Sequence, residues 1–200
     1  MSVKFQYNKT SLQDMQREMS VRVRALPVLK NKEAALRTEV KKTKQAIRKI
    51  EKKLEERKKQ MSEFSALWKE FDMSLVQLAE VRLSMVMIAG VKVPELFETQ
   101  YNVQPISLFN RPHWFADGIE VLKDISDIAI RQEILSRRAE LLDKARKKTT
   151  QKVNLYEKNQ IPAYSEAILK IKRFLEDEEN LAKSCQKILK SKMNHKIQAE

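Results

Sequence analysis

Glycine is almost absent from this chain of 200 residues, since only Gly90 and Gly118 occur. Glycine-rich phosphate loops, dinucleotide-binding fingerprints and turn-dense β-sandwiches need several glycines, so the sequence argues against them. Aromatic residues are also scarce, at 6%, whereas charged residues reach 34%. Hydrophobic residues make up 42%, which is too many for simple disorder. The composition is therefore typical of long helices or a coiled coil.

Residues that carry catalytic or metal chemistry are few. One cysteine and two histidines occur, so an internal disulfide and a Cys/His zinc site both lack residues. No Gly-x-x-x-x-Gly-Lys-Ser/Thr loop is present, which argues against direct nucleotide binding. We therefore predict no enzyme activity and no catalytic, cofactor-binding or metal-binding residues. Cys185 lies in an apolar helical stripe and is expected to be a buried, inert thiol.

Long hydrophobic runs are missing as well. The longest, Met85–Val91, is far shorter than the roughly 20 residues of a membrane-spanning helix. The first residues also lack the apolar stretch of a signal peptide. We therefore expect a soluble, cytoplasmic chain that reaches a membrane only indirectly.

The positive charge is unevenly distributed along the chain. The total is 40 − 27 = +13, made up of +11 in residues 1–60, −5 in residues 61–136 and +7 in residues 137–200. A basic stripe lies in the first region, from Lys41 to Lys59. It holds no aromatic residues for base stacking, so nucleic acid is disfavoured. A solvated helix face or an acidic protein partner fits the stripe better.

Apolar residues follow a heptad pattern in the first and last parts of the chain. Positions spaced alternately three and four residues apart from Leu12 to Leu78 are apolar in 16 of 20 cases. Residues 161–189 show the same spacing. Because the two arms (10–82 and 120–192) match in length, we predict an all-α fold in which they form a long antiparallel two-helix coiled-coil hairpin. A parallel dimer of whole chains is the alternative.

Two local features should disturb these helices. Pro27 removes a backbone donor and should kink or break the first helix. The apolar stripe slips in register between Tyr156 and Ile161, which predicts a local bend or stutter. The predicted domain division is an N-terminal coiled-coil helix, a small knob and a C-terminal coiled-coil helix, at 1–83, 84–118 and 119–200.

The middle segment departs from the helical pattern. It holds both glycines and three of the five prolines, with β-prone runs on either side of Ala89-Gly90. We predict a small β-hairpin in this knob, at the closed end of the helical pair. The aromatic residues Trp114 and Phe115 follow in a polar loop next to Pro112, where half-exposed rings are candidates for a partner contact.

Three segments resemble the D subunit of V/A-type rotary ATPases, which is the shaft of the central stalk. The first is Lys9 to Leu36, which includes Leu29-Lys30-Asn31-Lys32. The second is Met87 to Glu95, which resembles the family's Met-Gly-Val-x-Val-Pro segment. The third is Val153-Asn154 with Glu157 and Ile161-Pro162, and it is the most specific. This sequence has Ala25 where the family commonly has glycine, and Asn31 where it usually has Asp.

The resemblance implies a non-catalytic rotor subunit that transmits torque between ATP turnover and ion translocation through a membrane rotor. It implies contacts with the catalytic and regulatory subunits of the head, a small central-stalk subunit and a membrane-rotor adaptor, without direct nucleotide or nucleic acid binding. The head would hold a tip made of Leu12, Met15, Met19, Leu189 and Met193. The hairpin would contact the small stalk partner through Gly90, Val91, Lys92, Val93, Pro94 and Glu95.

Two other functions remain open on the sequence alone. The stalk protein of a type III secretion or flagellar export ATPase is also a basic helical hairpin, although it lacks a Gly-Val-Lys-Val-Pro knob. A generic coiled-coil scaffold or nucleic-acid-binding protein is the third possibility. The sequence does not specify whether the machine makes or hydrolyses ATP, or whether it moves H⁺ or Na⁺.

Overall fold

The computed structural model describes residues 4–63, 65–105 and 112–197. The described chain is mostly helical, in the order α1 (Lys9–Glu63), α2 (Ser65–Trp68), β1 (Val76–Ile88), β2 (Val91–Val103), α3 (Trp114–Asn154) and α4 (Ile161–Ile197). A 3₁₀ turn (Met73–Leu75) precedes β1, and a π-helical turn (Leu155–Gln160) joins α3 to α4. Two compact units result: one combines the residues up to Asn31 with those from Thr149 onward, and the other is Lys32–Lys148.

The predicted β-hairpin is confirmed, and it is longer than expected. Strands β1 and β2 are 13 residues each and pair antiparallel from Ile88↔Val91 to Val76↔Val103, with bulges after Leu78 and Arg82. The two-residue turn needs positive φ at both positions, which Ala89 (48°) and Gly90 (73°) provide. The β-prone runs on either side of Ala89-Gly90 are thus the parts of the two strands that pair next to the turn.

The predicted end of the first helix is wrong. The heptad pattern extends to Leu78, but α1 ends at Glu63 and the residues from Val76 are in β1. Leu75 and Leu78 keep the heptad spacing by coincidence, because β2 provides a partner strand for the whole of β1. The last helical region also begins earlier than predicted, since α3 starts at Trp114.

The two predicted helix disturbances have different outcomes. Helix α1 continues through Pro27, so the expectation of a break is wrong. The register slip between Tyr156 and Ile161 is confirmed, since the π turn spans Leu155–Gln160. In that turn the backbone N–H of Ile161 donates to the carbonyl of Tyr156, five residues back. Pro162, which has no N–H to donate, follows directly.

Residues Lys32–Lys148 contain two apolar clusters. One joins Leu36 and Val40 of α1, Val93 of β2 and Leu142 of α3, with Ile88, Ala89 and Val91 at its border. The turn end of the hairpin therefore packs against both helices. The other cluster, Phe71, Leu75, Phe115 and Ile119, lies at the opposite end of the hairpin.

Within each unit the helices run in opposite directions. Leu36 of α1 shares a cluster with Leu142, whereas Arg57, farther along α1, pairs with Asp124 at 3.8 Å. In the other unit, Tyr7 contacts Phe174 with ring centroids 4.8 Å apart, and Lys30 pairs with Glu157 at 2.7 Å. As residue numbers rise along α1 within each unit, the numbers of the residues in contact with it fall, as the predicted antiparallel arrangement requires.

Candidate partner-binding surfaces

The end of α4 is an amphipathic helix whose side chains lie clear of the other described elements. Every side chain from Leu181 to Asn194 is exposed. Tyr7, Asn8 and Lys9 line a shallow pocket with Leu175, Glu178 and Ala182, near the start of this stretch. One face of the free stretch is apolar, with exposed fractions of 57–67% at its large side chains: Leu181, Ile188, Leu189 and Met193. An apolar stripe at this helical spacing is the pattern of a face that packs on a partner.

The predicted tip residues fall into two separate groups. Leu12, Met15 and Met19 are half-buried on α1, whereas Leu189 and Met193 lie on the free end of α4. Because Tyr7 is level with Phe174, Leu189 lies about 30 Å farther along the helix axis than Leu12.

Cys185 of α4 is exposed, so the prediction of a buried thiol is wrong. A buried seam needs a facing helix, and α1 begins only at Lys9.

The predicted hairpin residues do not form one continuous exposed surface. Val93 is 0% exposed and Pro94 is also buried, while Gly90, Lys92 and Glu95 are exposed and Val91 is intermediate. A Cβ atom on Gly90 would lie 3.2 Å from Nζ of Lys32, so the turn lies against α1. Glu95 pairs with Arg138 of α3 at 3.5 Å. The buried residues of β2 therefore anchor the hairpin, and the exposed ones face outward.

The outward side of the hairpin carries large apolar residues that the sequence reasoning missed. Leu83, Met85, Met87 and Phe97 are 50–74% exposed. Leu83, Met85 and Met87 alternate with half-buried residues of β1, but the sequence does not show this alternation, because Val86 and Ile88 are apolar too. Methionine adapts its shape to irregular surfaces, so this face suits contact with another protein.

A groove lies beside Phe97, between β2 and α3. Its apolar lining includes Leu96, Ile134 and Leu135, and Arg131 and Arg138 flank these residues. The Nε atom of Arg138 is buried and has no hydrogen-bond partner among the described residues. Mixed apolar and guanidinium character adds to the contact potential of this side of the hairpin.

The predicted loop aromatics lie in a helix and in a core. Trp114 and Phe115 form the first turn of α3, and Phe115 is only 4% exposed. Their ring centroids are 4.8 Å apart, and the ring centroid of Phe71 lies 5.0 Å from that of Phe115. The expectation of a loop is therefore wrong for this pair, because Trp68 and Phe71 supply an apolar surface for it. Asn110 and Arg111 lie outside the described residues.

A polar network fixes β2 to α3. The hydroxyl groups of Tyr101 and Thr99 both donate to Oδ1 of Asp127, at 2.6 and 2.7 Å. Burial raises the pKa of the Tyr101 phenol well above its usual value of 10.0, and the hydrogen bond to Asp127 raises it further. The neutral phenol thus acts as a donor that holds the hairpin on the helix.

The basic stripe is exposed on α1. Lys41, Lys44 and Arg48 line a groove with Arg146 and Asp143 of α3. The hydrogen bond from Arg146 lowers the pKa of the Asp143 carboxyl group below its usual value, and the hydrogen bond from Lys147 lowers it by a smaller amount. The other lysines of the stripe project to solvent, including Lys42, Lys49, Lys52, Lys53, Lys58 and Lys59.

Within the ranges that the structure describes, no three or more His, Cys, Asp or Glu side chains gather as metal ligands would. No helix in this part of the chain is both long and apolar enough to cross a membrane.

The chain is similar to known proteins over nearly its whole length. The family model of the ATP synthase D subunit matches residues 11–191, so the chain belongs to that family. It is 30% identical over 193 residues to the V-type ATP synthase D subunit of Borreliella burgdorferi, covering 95% of each chain. The same-named proteins of Chlamydia muridarum and Chlamydia trachomatis serovar L2 are 36% and 33% identical over 90 residues, 45% of this chain and 44% of theirs. The resemblance inferred from the three sequence segments is confirmed, and the export-ATPase and scaffold alternatives are not favoured.

Proposed function

We propose that this chain is the central-stalk rotor subunit of a V/A-type rotary ATPase, without catalytic activity of its own. It transmits torque between ATP synthesis or hydrolysis in the catalytic head and ion translocation through the membrane rotor. The observation that carries the proposal is the family match over residues 11–191, together with a relative of similar length. In this role the protein is cytoplasmic and peripheral to the membrane as part of the complex.

The helical pairing supports a shaft. In both units a segment of α1 runs antiparallel to a C-terminal helix, and Leu36, Leu142 and Ile171 are completely buried. We propose that these seams form a two-helix coiled coil. Close packing at a seam resists compression, because a displaced side chain loses its contacts on every side. Such a pair transmits a twist along its length.

The free end of α4 supports a contact with the head. Its apolar stripe has no partner among the described residues, and the opposite side of this stretch carries three lysines: Lys183, Lys187 and Lys190. We propose that Leu189 and Met193 lie in a bearing formed by the catalytic and regulatory subunits. Leu12, Met15 and Met19 form a second contact farther along the shaft. Neither group contacts nucleotide.

The hairpin supports a contact with the other stalk components. Gly90, Val91, Lys92 and Glu95 provide the accessible part of the turn, while Val93 and Pro94 position it from below. We propose that the small central-stalk subunit binds here, with the membrane-rotor adaptor at the opposite end of the hairpin, near Trp114. The buried ring of Phe115 supports Trp114 rather than touching the partner itself.

Rotation of the chain within the head is the direct test. Met85 is 70% exposed on the hairpin, so Met85→Cys in a Cys185→Ser background accepts a bead without disturbing a core. The chain is assembled with the other subunits, and the head is fixed to a surface. We expect ATP to drive continuous unidirectional rotation of the bead, and none without ATP. A bead that stays still while ATP is hydrolysed at the normal rate would contradict the rotor role.

Co-purification identifies the partners independently. The tagged chain is recovered from its own membranes, and the eluted proteins are quantified by mass spectrometry. We expect ATPase head subunits, a small stalk subunit and membrane-rotor proteins in a fixed ratio. Secretion or flagellar export proteins in their place would favour the export-ATPase alternative.

A further inference from the structure

One charged residue interrupts the apolar heptad positions of α1 between Leu12 and Leu29. Arg22 occupies the heptad position between Met19 and Leu26, and its side chain is only 19% exposed. It lies against the π turn Leu155–Gln160, where the backbone hydrogen bonding of the C-terminal helices changes from α-helical to π-helical. Neither the apolar pairing nor the partner surfaces require an arginine at this place.

The guanidinium group of Arg22 is held on all sides by its own unit. Its Nε donates to Oε1 of Gln160 at 2.7 Å. Its Cζ lies 4.6 Å from the ring centroid of Tyr164 and 6.0 Å from that of Tyr156, within the range of cation–π contact. Nη1 donates to the carbonyl of Glu18 at 2.9 Å and pairs with the Glu18 carboxylate.

The π turn explains how these three groups reach one arginine. Side chains at 156, 160 and 164 would drift by about 80° around an uninterrupted α-helix, because each step of four residues rotates by about 40° beyond a full turn. A turn widened to five-residue hydrogen bonding removes part of that drift. Gln160 and the two rings therefore stay on the side that faces Arg22.

We propose that Arg22 and the π turn form a register lock between α1 and α4. A purely aliphatic seam that slides by one heptad buries similar side chains again, so it specifies its register weakly. After such a slide Arg22 would lose Gln160 and both rings and keep only its contacts with Glu18 of its own helix. A single polar group in a helical seam is the best-attested device for fixing register.

In a rotor subunit, the register lock would prevent α1 and α4 from sliding past each other under torque. This purpose rests on the proposed function. The lock itself is a property of this chain alone. The nearby ion pair between Lys30 and Glu157, at 2.7 Å, is half exposed on both sides and contributes little to register. Arg22 is therefore the residue to change.

Distances between spin labels measure the register directly. Labels are placed on Val28→Cys and Leu169→Cys in the full chain with Cys185→Ser, since both side chains are more than half exposed, one on α1 and one on α4. We expect one narrow distance distribution. In Arg22→Leu we expect a second population, displaced by about 10 Å, which is the length of one heptad. Thermal stability should stay the same or rise, because an aliphatic residue replaces a charge in the seam.

Matched variants separate the lock from ordinary packing. Gln160→Leu keeps both rings and should also produce a second distance population. Arg24→Leu is the control, since Arg24 is exposed and bonds to Ser20 of its own helix, at 2.8 Å for the hydroxyl. It should keep the single distribution. One unchanged narrow distribution in both Arg22→Leu and Gln160→Leu would overturn the lock.

The π turn is tested by shortening it. Deletion of Lys158, which is exposed in the turn, should restore α-helical spacing, so that Tyr156, Gln160 and Tyr164 no longer all face Arg22. The label distance should then change even with Arg22 present. Deletion of the exposed Lys187 is the control and should leave it unchanged. Equal distances in the two deletion variants would contradict a role for the π turn, whatever the outcome of the rotation experiment.

Discussion

The backbone of Gly118 lies directly against an aromatic ring. A Cβ atom at this position would be 2.8 Å from Cε2 of Phe71, closer than such contacts occur in proteins. Gly118→Ala should therefore destabilise the chain by about 1–3 kcal/mol, although alanine favours an exposed helix by about 1 kcal/mol over glycine. The midpoint of urea denaturation measures the change. In the Phe71→Leu background the penalty of Gly118→Ala should shrink, and an equal penalty in both backgrounds would mean that the ring is not its cause.

The phenol of Tyr101 links stability to alkaline pH. Its pKa is raised in the folded chain, so the folded state holds the proton more tightly than the unfolded state does. The stabilisation it provides is complete below about pH 10, the unfolded value, and is lost as the pH rises through the folded pKa. Tyr101→Phe should cost about 1 kcal/mol at neutral pH, from the lost hydrogen bond to Asp127.

Absorbance of tyrosinate at alkaline pH checks this assignment. The chain contains four tyrosines. The titration curve of Tyr101→Phe should lack the last part of the rise, at the most alkaline pH, that the unaltered chain shows. A late rise that persists in Tyr101→Phe would show that another group is responsible.

The hairpin is held to the helices by one completely buried residue. Val93 packs between Leu36 and Val40 of α1 and Leu142 of α3. Val93→Ala should destabilise the chain by about 2 kcal/mol, since two buried methyl groups are lost and a cavity is left. Met87→Ala, on the outward side of β1, is the control and should change stability by less than about 0.5 kcal/mol. Equal losses in the two variants, measured by thermal unfolding, would contradict this packing.

Local sequence patterns predicted the elements well where the chain itself provides the partner. The register slip at Tyr156–Ile161 indicated the π turn, and the glycine at position 90 indicated the hairpin turn. The end of α1 could not be predicted from spacing, because Leu75 and Leu78 keep the heptad pattern although they lie in the 3₁₀ turn and in β1. Pairing with β2 makes Leu78 part of a strand, and that pairing is a tertiary contact. Cys185 shows the same limit, because its burial depends on a facing helix that this stretch of α4 lacks among the described residues.

Charge along α1 is expected to govern how the whole subunit fits its surroundings. The exposed lysines at 41, 42, 49 and 52 lie on helix faces that a ring of subunits would meet. Reversing all four to glutamate changes the net charge from +13 to +5 and should weaken assembly of the head or slow its ATP turnover. Circular dichroism should remain unchanged, since none of the four is buried. The same four positions changed to arginine keep the charge and form the control; unchanged ATPase activity of the glutamate variant would refute the electrostatic role.

The free end of α4 separates the stability of the chain from its function in the complex. A chain that ends at Ala182 loses side chains that are exposed throughout the described stretch from Lys183 to Asn194. Its melting temperature should therefore stay within about 2 °C of the full chain. The reassembled head should nevertheless bind the shortened shaft more weakly, because the apolar stripe with Leu189 and Met193 is gone. Leu189→Ala with Met193→Ala should reproduce part of this loss, whereas Lys187→Ala with Ser191→Ala, on the polar side, should not. The shortened chain could instead bind the head with unchanged affinity and keep ATP turnover coupled to rotation. That result would mean that the end of α4 is not part of the bearing, and Leu12, Met15 and Met19 would remain as the proposed head contact.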